Sequence, residues 1–293
     1  FLSLKAAGVG PGDEVITVAH TFVAVIASIV HCGATPILVD VGEDMNMDVE
    51  QVEQKISPKT KAIIPVHLNG RLCNMKKLME IAHEHHLIVI EDAAQSLGAS
   101  FDRKKAGSFG LTGCFSLYPA KMLGAAGDGG FLTTNNEETE EKILGAAGDA
   151  GFATTNNEEM NEKIHLLRDH GQQRTTGNIL FYGFNSRLDN IQAAILNVKL
   201  KYLPQWIERR REIAKIYHDG LSDTRELKMP PPPATNSAYY DAYQNYVIRA
   251  KDRDELAKFL EKNGVEVMVS WRIPNHLHQS LNLNHFSLPE TEK

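Results

Sequence analysis

Leu87-Ile88-Val89-Ile90-Glu91-Asp92-Ala93-Ala94-Gln95 is the stretch on which the fold turns. Four apolar residues run without alternation straight into two carboxylates. A short continuous apolar run fits a strand covered on both faces, and such strands belong to parallel sheets flanked by helices. Upstream, Asn74–His86 has helical periodicity, with Met75, Leu78, Met79 and Ala82 on one face. Before that helix lies Ala62-Ile63-Ile64-Pro65-Val66, a second strand candidate. Strand, helix, strand at this spacing predicts an α/β unit with parallel strands.

The pattern continues in both directions. Asp13–Val18 and Pro36–Asp40 read as strands, while Leu2–Ala7, Phe22–Val30 and Asp48–Ile56 read as helices. Past residue 200 the texture changes. Trp206–Leu221 is a basic amphipathic helix carrying Arg209, Arg210 and Arg211, and Pro230–Pro233 forms a stiff connector. Tyr246-Val247-Ile248 reads as a strand and Asp252–Asn263 as a helix. The expectation is an α/β protein: a mostly parallel mixed sheet with helices on both faces (1–205), then a smaller C-terminal α+β domain (206–293). The chain begins inside a helix and stops in a charged stretch, and is read as a fragment truncated in both domains.

One repeat interrupts the pattern. Residues 123–143, LGAAGDGGFLTTNNEETEEKI, recur at 144–164 as LGAAGDAGFATTNNEEMNEKI, with 17 of 21 positions identical. Two copies are too few for a solenoid. A tandem duplication leaves one strand-plus-helix unit in excess; the first copy is expected in the sheet, directly after Lys121, with the other looped out or added at an edge.

Composition narrows the function. A formal charge of −6 over 293 residues argues against a nucleic-acid grip, which needs a basic face. No apolar run approaches the roughly 20 residues that span a bilayer. Cys32, Cys73 and Cys114 lie far apart and show neither a disulfide framework nor a zinc pattern, so a reducing cytoplasm is expected. His83, His85 and His86 show no matching carboxylates in sequence, and no metal site is expected. No phosphate-binding G-x-x-x-x-G-K-[ST] or G-x-G-x-x-G motif follows a predicted strand.

In parallel sheets ligands gather at the carboxyl ends of strands, which marks Glu91-Asp92 and the loop after Phe115. A carboxylate there needs a cationic partner to stay ionised; taken alone, Asp92 serves equally as a helix cap. Cys114-Phe115-Ser116-Leu117-Tyr118-Pro119-Ala120-Lys121 leads into Gly124 and Gly127-Asp128-Gly129-Gly130. A lysine leaving an apolar strand for a small-residue loop can be desolvated, which lowers its pKa and frees the amine to attack an aldehyde. Taken alone, a surface lysine at a turn fits as well. Arg168-Asp169-His170-Gly171 and Gly183-Phe184-Asn185-Ser186-Arg187-Leu188, ahead of a helix from Asn190, suit either an anion site or plain capping.

Together and in this order, GPGDEVI with HTFVA, PVHLNG, EDAAQSLGA, FSLYPAKMLGAAGDGG, RDHG and GFNSRLDNIQAAIL resemble the nucleotide-sugar aminotransferases of the DegT/DnrJ/StrS type. The resemblance runs from about Ala6 to the end. It implies the fold of pyridoxal-phosphate (PLP) transferases of fold type I, and transfer of an amino group from glutamate to a nucleotide-linked keto-sugar. Carried over position by position, it makes Lys121 the Schiff-base lysine. Asp92 becomes the partner of the pyridinium nitrogen, Gln95 a contact on the ring's hydroxyl side, and Phe22 the aromatic residue on the ring face. Ser116 would bind the phosphate, helped by Asn185 from a second subunit, so a homodimer with shared sites is implied. His67 and Arg187 would stand on the substrate side. Two other readings remain on the same fold: a sugar dehydratase, whose histidine in place of the lysine Lys121 contradicts, and a non-catalytic or regulatory member.

Overall fold

A computed structural model describes residues 1–134, 152–154, 158–234 and 236–293. Its frame is a seven-stranded sheet. The first helix, α1 (Leu2–Ala6), leads to β1 (Glu14–Val18), α2 (Ala24–His31), β2 (Thr35–Val39) and β3 (Thr60–Ile63). Next come α3 (Met75–Glu84), β4 (Ile88–Asp92), β5 (Thr112–Ser116), β6 (Gly130–Thr134), β7 (Phe152–Thr154) and α4 (Glu158–Arg168). Three further helices follow: α5 (Asn190–Leu200), α6 (Leu203–Leu221) and α7 (Arg253–Lys262). The spatial order is β2-β1-β3-β4-β5-β6-β7, and every neighbouring pair is parallel except β5 with β6.

Alternation along the strands builds two cores. Ile16, Val18, Ile63, Val89 and Phe115 face the α3 side, where Met75, Leu78 and Ile81 meet Leu203 and Ile207 of α6. Val15, Ala62, Ile64 and Ile90 face the opposite side, against Leu4 of α1 and Ile29 of α2. Successive side chains of a strand point to opposite faces, so a run without polar breaks is what a sheet covered on both sides requires. The Asn74 side chain caps α3 by accepting from the Lys77 amide (3.3 Å), which fixes where the helix starts.

The duplication is accommodated inside the sheet. Strand β6, from the first copy, pairs antiparallel with β5. Strand β7, from the second copy, lies on its outer side in parallel register, Phe131 beside Phe152, Leu132 beside Ala153 and Thr133 beside Thr154. Phe131, Leu132 and Thr133 of β6 therefore each sit next to their own duplicate. Helix α4, also from the second copy, packs Met160, Ile164 and Leu167 against Ala6 of α1, with Leu132 and Leu111 alongside. The helical part of the first copy lies outside the described residues.

Several sequence expectations shift. Asp48–Ile56 forms two short 3-10 turns, Val49–Gln51 and Glu53–Lys55. The strand expected at Tyr246–Ile248 falls instead at Arg249–Ala250, paired with Leu227–Lys228. The boundary placed near residue 205 lies within α6, which runs unbroken from Leu203 to Leu221. Residues beyond it return to the main body: Tyr239–Tyr240 pair with Ser100–Phe101, and Ala242 is buried in the α3-side core. Leu283 and Leu288 pack on Ala19, Ile26 and Leu38. The reason is chemical. The buried Asp40 carboxylate accepts from the amides of Glu290 (2.7 Å) and Thr291 (2.8 Å) and from the Thr291 hydroxyl (2.7 Å). Among the described residues no helix is long and apolar enough to cross a membrane.

Candidate active site

Strand β4 ends in two carboxylates that face different surroundings. Glu91 is fully buried. Its Oε2 accepts from the Gly107 amide (2.7 Å) and meets Nε2 of His67 (3.0 Å); its Oε1 accepts from the amides of Phe109 (2.6 Å) and Gly110 (2.8 Å). His67 is equally buried, and its Nδ1 accepts from the Cys73 amide (3.3 Å). With Nδ1 an acceptor, the ring proton sits on Nε2 and points at Glu91. Both ring nitrogens are thus occupied inside the protein. His67 does not face a ligand, and its expected place on the substrate side is corrected: it holds the sheet end from beneath.

The next residue, Asp92, is anchored through its backbone. Its amide donates to Pro65 O and its carbonyl accepts from the His67 amide, both at 2.9 Å. Its Oδ1 accepts from the Ala94 amide (3.0 Å). Among the described residues no other donor bonds this carboxylate, so Oδ2 is left for a ligand. Burial pushes the Asp92 pKa up, opposed by the Ala94 amide and, through space, by Lys121. The Lys121 amine is half-buried; desolvation lowers its pKa, and Asp92 pulls the other way. Sequence positions 92 and 121 therefore share one electrostatic environment.

A tight loop presents Lys121. The Leu117 amide donates to Gly129 O (2.7 Å), Ala125 to Leu117 O (2.6 Å), and the Lys121 amide to Tyr118 O (2.8 Å). Gly124 has φ +44°, and a Cβ there would lie 2.4 Å from Pro119 O, so the turn admits only glycine. Ser116, at the end of β5, accepts the Tyr118 amide on Oγ (3.2 Å), which leaves its hydroxyl proton free to donate. Gln95 accepts the Asn69 amide on Oε1 (2.8 Å), leaving its NH2 as a donor.

The remaining candidates lie on exposed surface. Phe22 is 63% exposed, in the loop before α2. Asn185 pairs through its backbone with Asp169, and its Oδ1 accepts from Nε of Arg187 (3.0 Å). Arg187 also donates to Asp169 (3.2 Å). Around them Ile179, Tyr182 and Ile191 are 70%, 99% and 70% exposed. Asp92 and Lys121 lie close enough to feel each other's charge, while Asn185 and Arg187 are exposed and bonded to each other, with Asp169 accepting from Arg187.

Near the C-terminus of α3, contrary to the sequence reading, His85 does have carboxylate neighbours: its ligand atoms and those of Glu53 and Glu84 lie within 4.8 Å of one another. The group is largely exposed, of a kind common without any ion. Glu91 itself was missed as a separate role from sequence, where it reads only as the neighbour of Asp92.

These residues fit a planar phosphorylated aldehyde. Lys121 offers a desolvated amine, Asp92 an open carboxylate oxygen for a ring N–H, Ser116 a hydroxyl proton for a phosphate, and Gln95 an amide donor. A strand-end lysine and carboxylate on this sheet define a PLP-dependent aminotransferase of fold type I. More particularly, the chain belongs to the DegT/DnrJ/EryC1/StrS aminotransferase family, whose model matches it twice, over residues 1–145 and 140–293. The two matches meet inside the duplicated segment.

Among relatives, a pleiotropic regulatory protein of Geobacillus stearothermophilus is 41% identical over 100% of this chain and 73% of its own length. UDP-N-acetyl-3-dehydro-alpha-D-glucosamine 3-aminotransferase of Acidithiobacillus ferrooxidans is 38% identical, over 94% of this chain and 68% of its own. In structure, the chain resembles DesV of S. venezuelae with a TM-score of 0.86 and 33% identity, covering 99% of this chain and 73% of that one. A sugar aminotransferase of Streptococcus pneumoniae solved in its PLP form gives 0.84 at 25% identity, over 99% and 76%.

Proposed function

We propose that this protein is a PLP-dependent aminotransferase that moves an amino group from glutamate to a nucleotide-linked keto-sugar, working in the cytoplasm as a homodimer with shared active sites. The observation that carries the reading is the pairing of Asp92 with Cys114 at the end of the sheet, where the loop of the half-buried Lys121 leaves the neighbouring strand and the Asp92 carboxylate keeps one oxygen open. Relatives named as transaminases of UDP- and dTDP-linked sugars give the substrate class.

When bound, PLP supplies an electron sink that acidifies the Cα–H of the amino donor. The chain does the rest. Lys121 Nζ would be the covalent anchor and, once freed by the donor amine, the base that would take the Cα proton and move it across the shared nitrogen to the cofactor's former aldehyde carbon. Asp92 Oδ2 keeps the ring nitrogen protonated, which requires the carboxylate to remain ionised despite its burial. The Ser116 hydroxyl and the Gln95 amide hold the phosphate and the ring hydroxyl, and Phe22 covers one ring face. Asn185 of a second copy completes the phosphate site, and Arg187 binds the substrate. The exposed apolar face around Ile179, Tyr182 and Ile191 supports this dimer, since such a patch on a monomer marks an association surface.

A regulatory protein without turnover is the second reading, favoured by the name of the 41% identical relative. Incubating the PLP-loaded protein with glutamate and a panel of keto-sugar nucleotides separates the two. Release of 2-oxoglutarate with formation of an amino sugar is expected; PLP binding without either product would support the regulatory reading.

A further inference from the structure

The segment Asp241–Asn245 comes from beyond the sheet, yet it touches both halves of the site. On one side, Nε2 of Gln244 donates to the carbonyl of Ala120 (2.9 Å), the residue just before Lys121. On the other, Nδ2 of Asn245 donates to Oδ1 of Asn69 (3.3 Å), and the Asn69 amide holds Gln95. The segment is itself fixed. The Ala242 amide donates to Gly70 O (2.8 Å), Arg210 donates to the carbonyls of Gln244 (2.9 Å) and Tyr243 (3.3 Å), and Arg71 pairs with Asp241 (2.8 Å). Gln244 is 6% exposed, and its Oε1 is buried with no partner among the described residues. Leaving an amide oxygen unpaired carries a cost, so the side chain is held here by what its NH2 does.

Resting on the PLP reading above, we propose that Gln244 is a positioning residue for Lys121. Its NH2 fixes the Ala120 carbonyl, and so the direction in which the lysine leaves its loop, while Asn245 ties that same segment to the Gln95 side of the site. A carbonyl held by one donor cannot rotate without losing it, and Lys121 shares the peptide plane of Ala120. The amine is thereby aligned before any ligand arrives, and the cost of ordering the loop on binding falls.

The test compares Gln244→Met, which keeps size and loses the donor, with Gln244→Glu, which turns an acceptor toward Ala120 O when ionised and regains an O–H donor when protonated. PLP affinity is read from the visible absorbance that Lys121→Ala abolishes, as the ratio of variant to wild type. Near about pH 8 both variants are expected to bind about tenfold more weakly, the worth of one buried hydrogen bond. Near about pH 5.5, where a buried glutamic acid is protonated, Gln244→Glu recovers toward wild type and Gln244→Met does not. Melting of the PLP-free proteins shows that both fold. Equal losses for Gln244→Glu at the two pH values would assign the effect to packing and overturn the proposal. Wild-type affinity in both variants would overturn it while leaving the PLP reading standing; a wild type without Lys121-dependent absorbance would overturn both.

Discussion

Lys121 and Asp92, 29 positions apart in sequence, are brought to the carboxyl end of the sheet, where each charge offsets part of the burial of the other. Burial works against charge on both: it lowers the pKa of the amine and raises that of the acid. Their mutual attraction restrains each shift. A ligand that supplies an N–H to Asp92 and an aldehyde to Lys121 relieves both costs at once.

Asp92→Asn keeps the shape and removes the charge that holds a ring proton. PLP binding should be retained, while turnover with glutamate falls about a hundredfold or more. Stopped-flow recording of the half-reaction measures this; an unchanged rate would remove Asp92 from the chemistry.

Glu91→Gln probes the buried support beneath it. Each oxygen of Glu91 faces two donors, His67 Nε2 with the Gly107 amide and the amides of Phe109 with Gly110. Whichever way a glutamine turns, its NH2 confronts two N–H groups. Stability should fall by about 2–4 kcal/mol in urea titrations, and a midpoint equal to wild type would contradict the network.

How much of this could be read in the sequence depends on the kind of signal. The strands β4 and β5 and the helix α3 announce themselves by apolar periodicity, and the strand-end rule marks Glu91-Asp92 and the loop after Phe115, but only the family resemblance singles out Asp92, Ser116 and Lys121 within them. Glu91 does not stand out, because a buried carboxylate met by backbone amides leaves no periodic trace. Gln244 and Asn245 are further from view: Gln244 bonds a main-chain carbonyl 124 positions away, and nothing in either stretch marks the pair. The same holds for the return of 239–245 and 275–291 to the sheet, which makes a division near residue 205 too simple. For the repeat, identity alone shows that a unit is in excess; only the pairing of Phe131 with Phe152 shows where the second strand goes.

Gly70→Ala tests the docking of the 241–245 segment. Gly70 has φ +95°, and a Cβ there would lie 2.5 Å from the Tyr243 nitrogen and 2.7 Å from that of Gln244. Backbone on both sides cannot give way. A loss of about 2–4 kcal/mol is expected, from left-handed strain together with the clash. Thermal melts check it; tolerance of alanine would mean that the segment is not held there.

His20 predicts an acid sensitivity. Burial, helped by the Arg249 charge, lowers its pKa from 6.5 to about 4. Between those values the unfolded chain binds more protons than the folded one, so stability is full above about pH 6.5 and declines as pH falls toward about 4. The decline attributable to His20 is about 1–3 kcal/mol. In urea titrations across that window His20→Gln should flatten the slope; an identical slope in the variant would refute the assignment.

The central claim is that one amine, that of Lys121, holds PLP. Loading the protein with PLP, reducing with borohydride and mapping the labelled peptide by mass spectrometry reads this directly. The phosphopyridoxyl group is expected on Lys121 alone, and absent from the Lys121→Ala protein treated identically. A label on another lysine, or none on the wild type, would contradict the account.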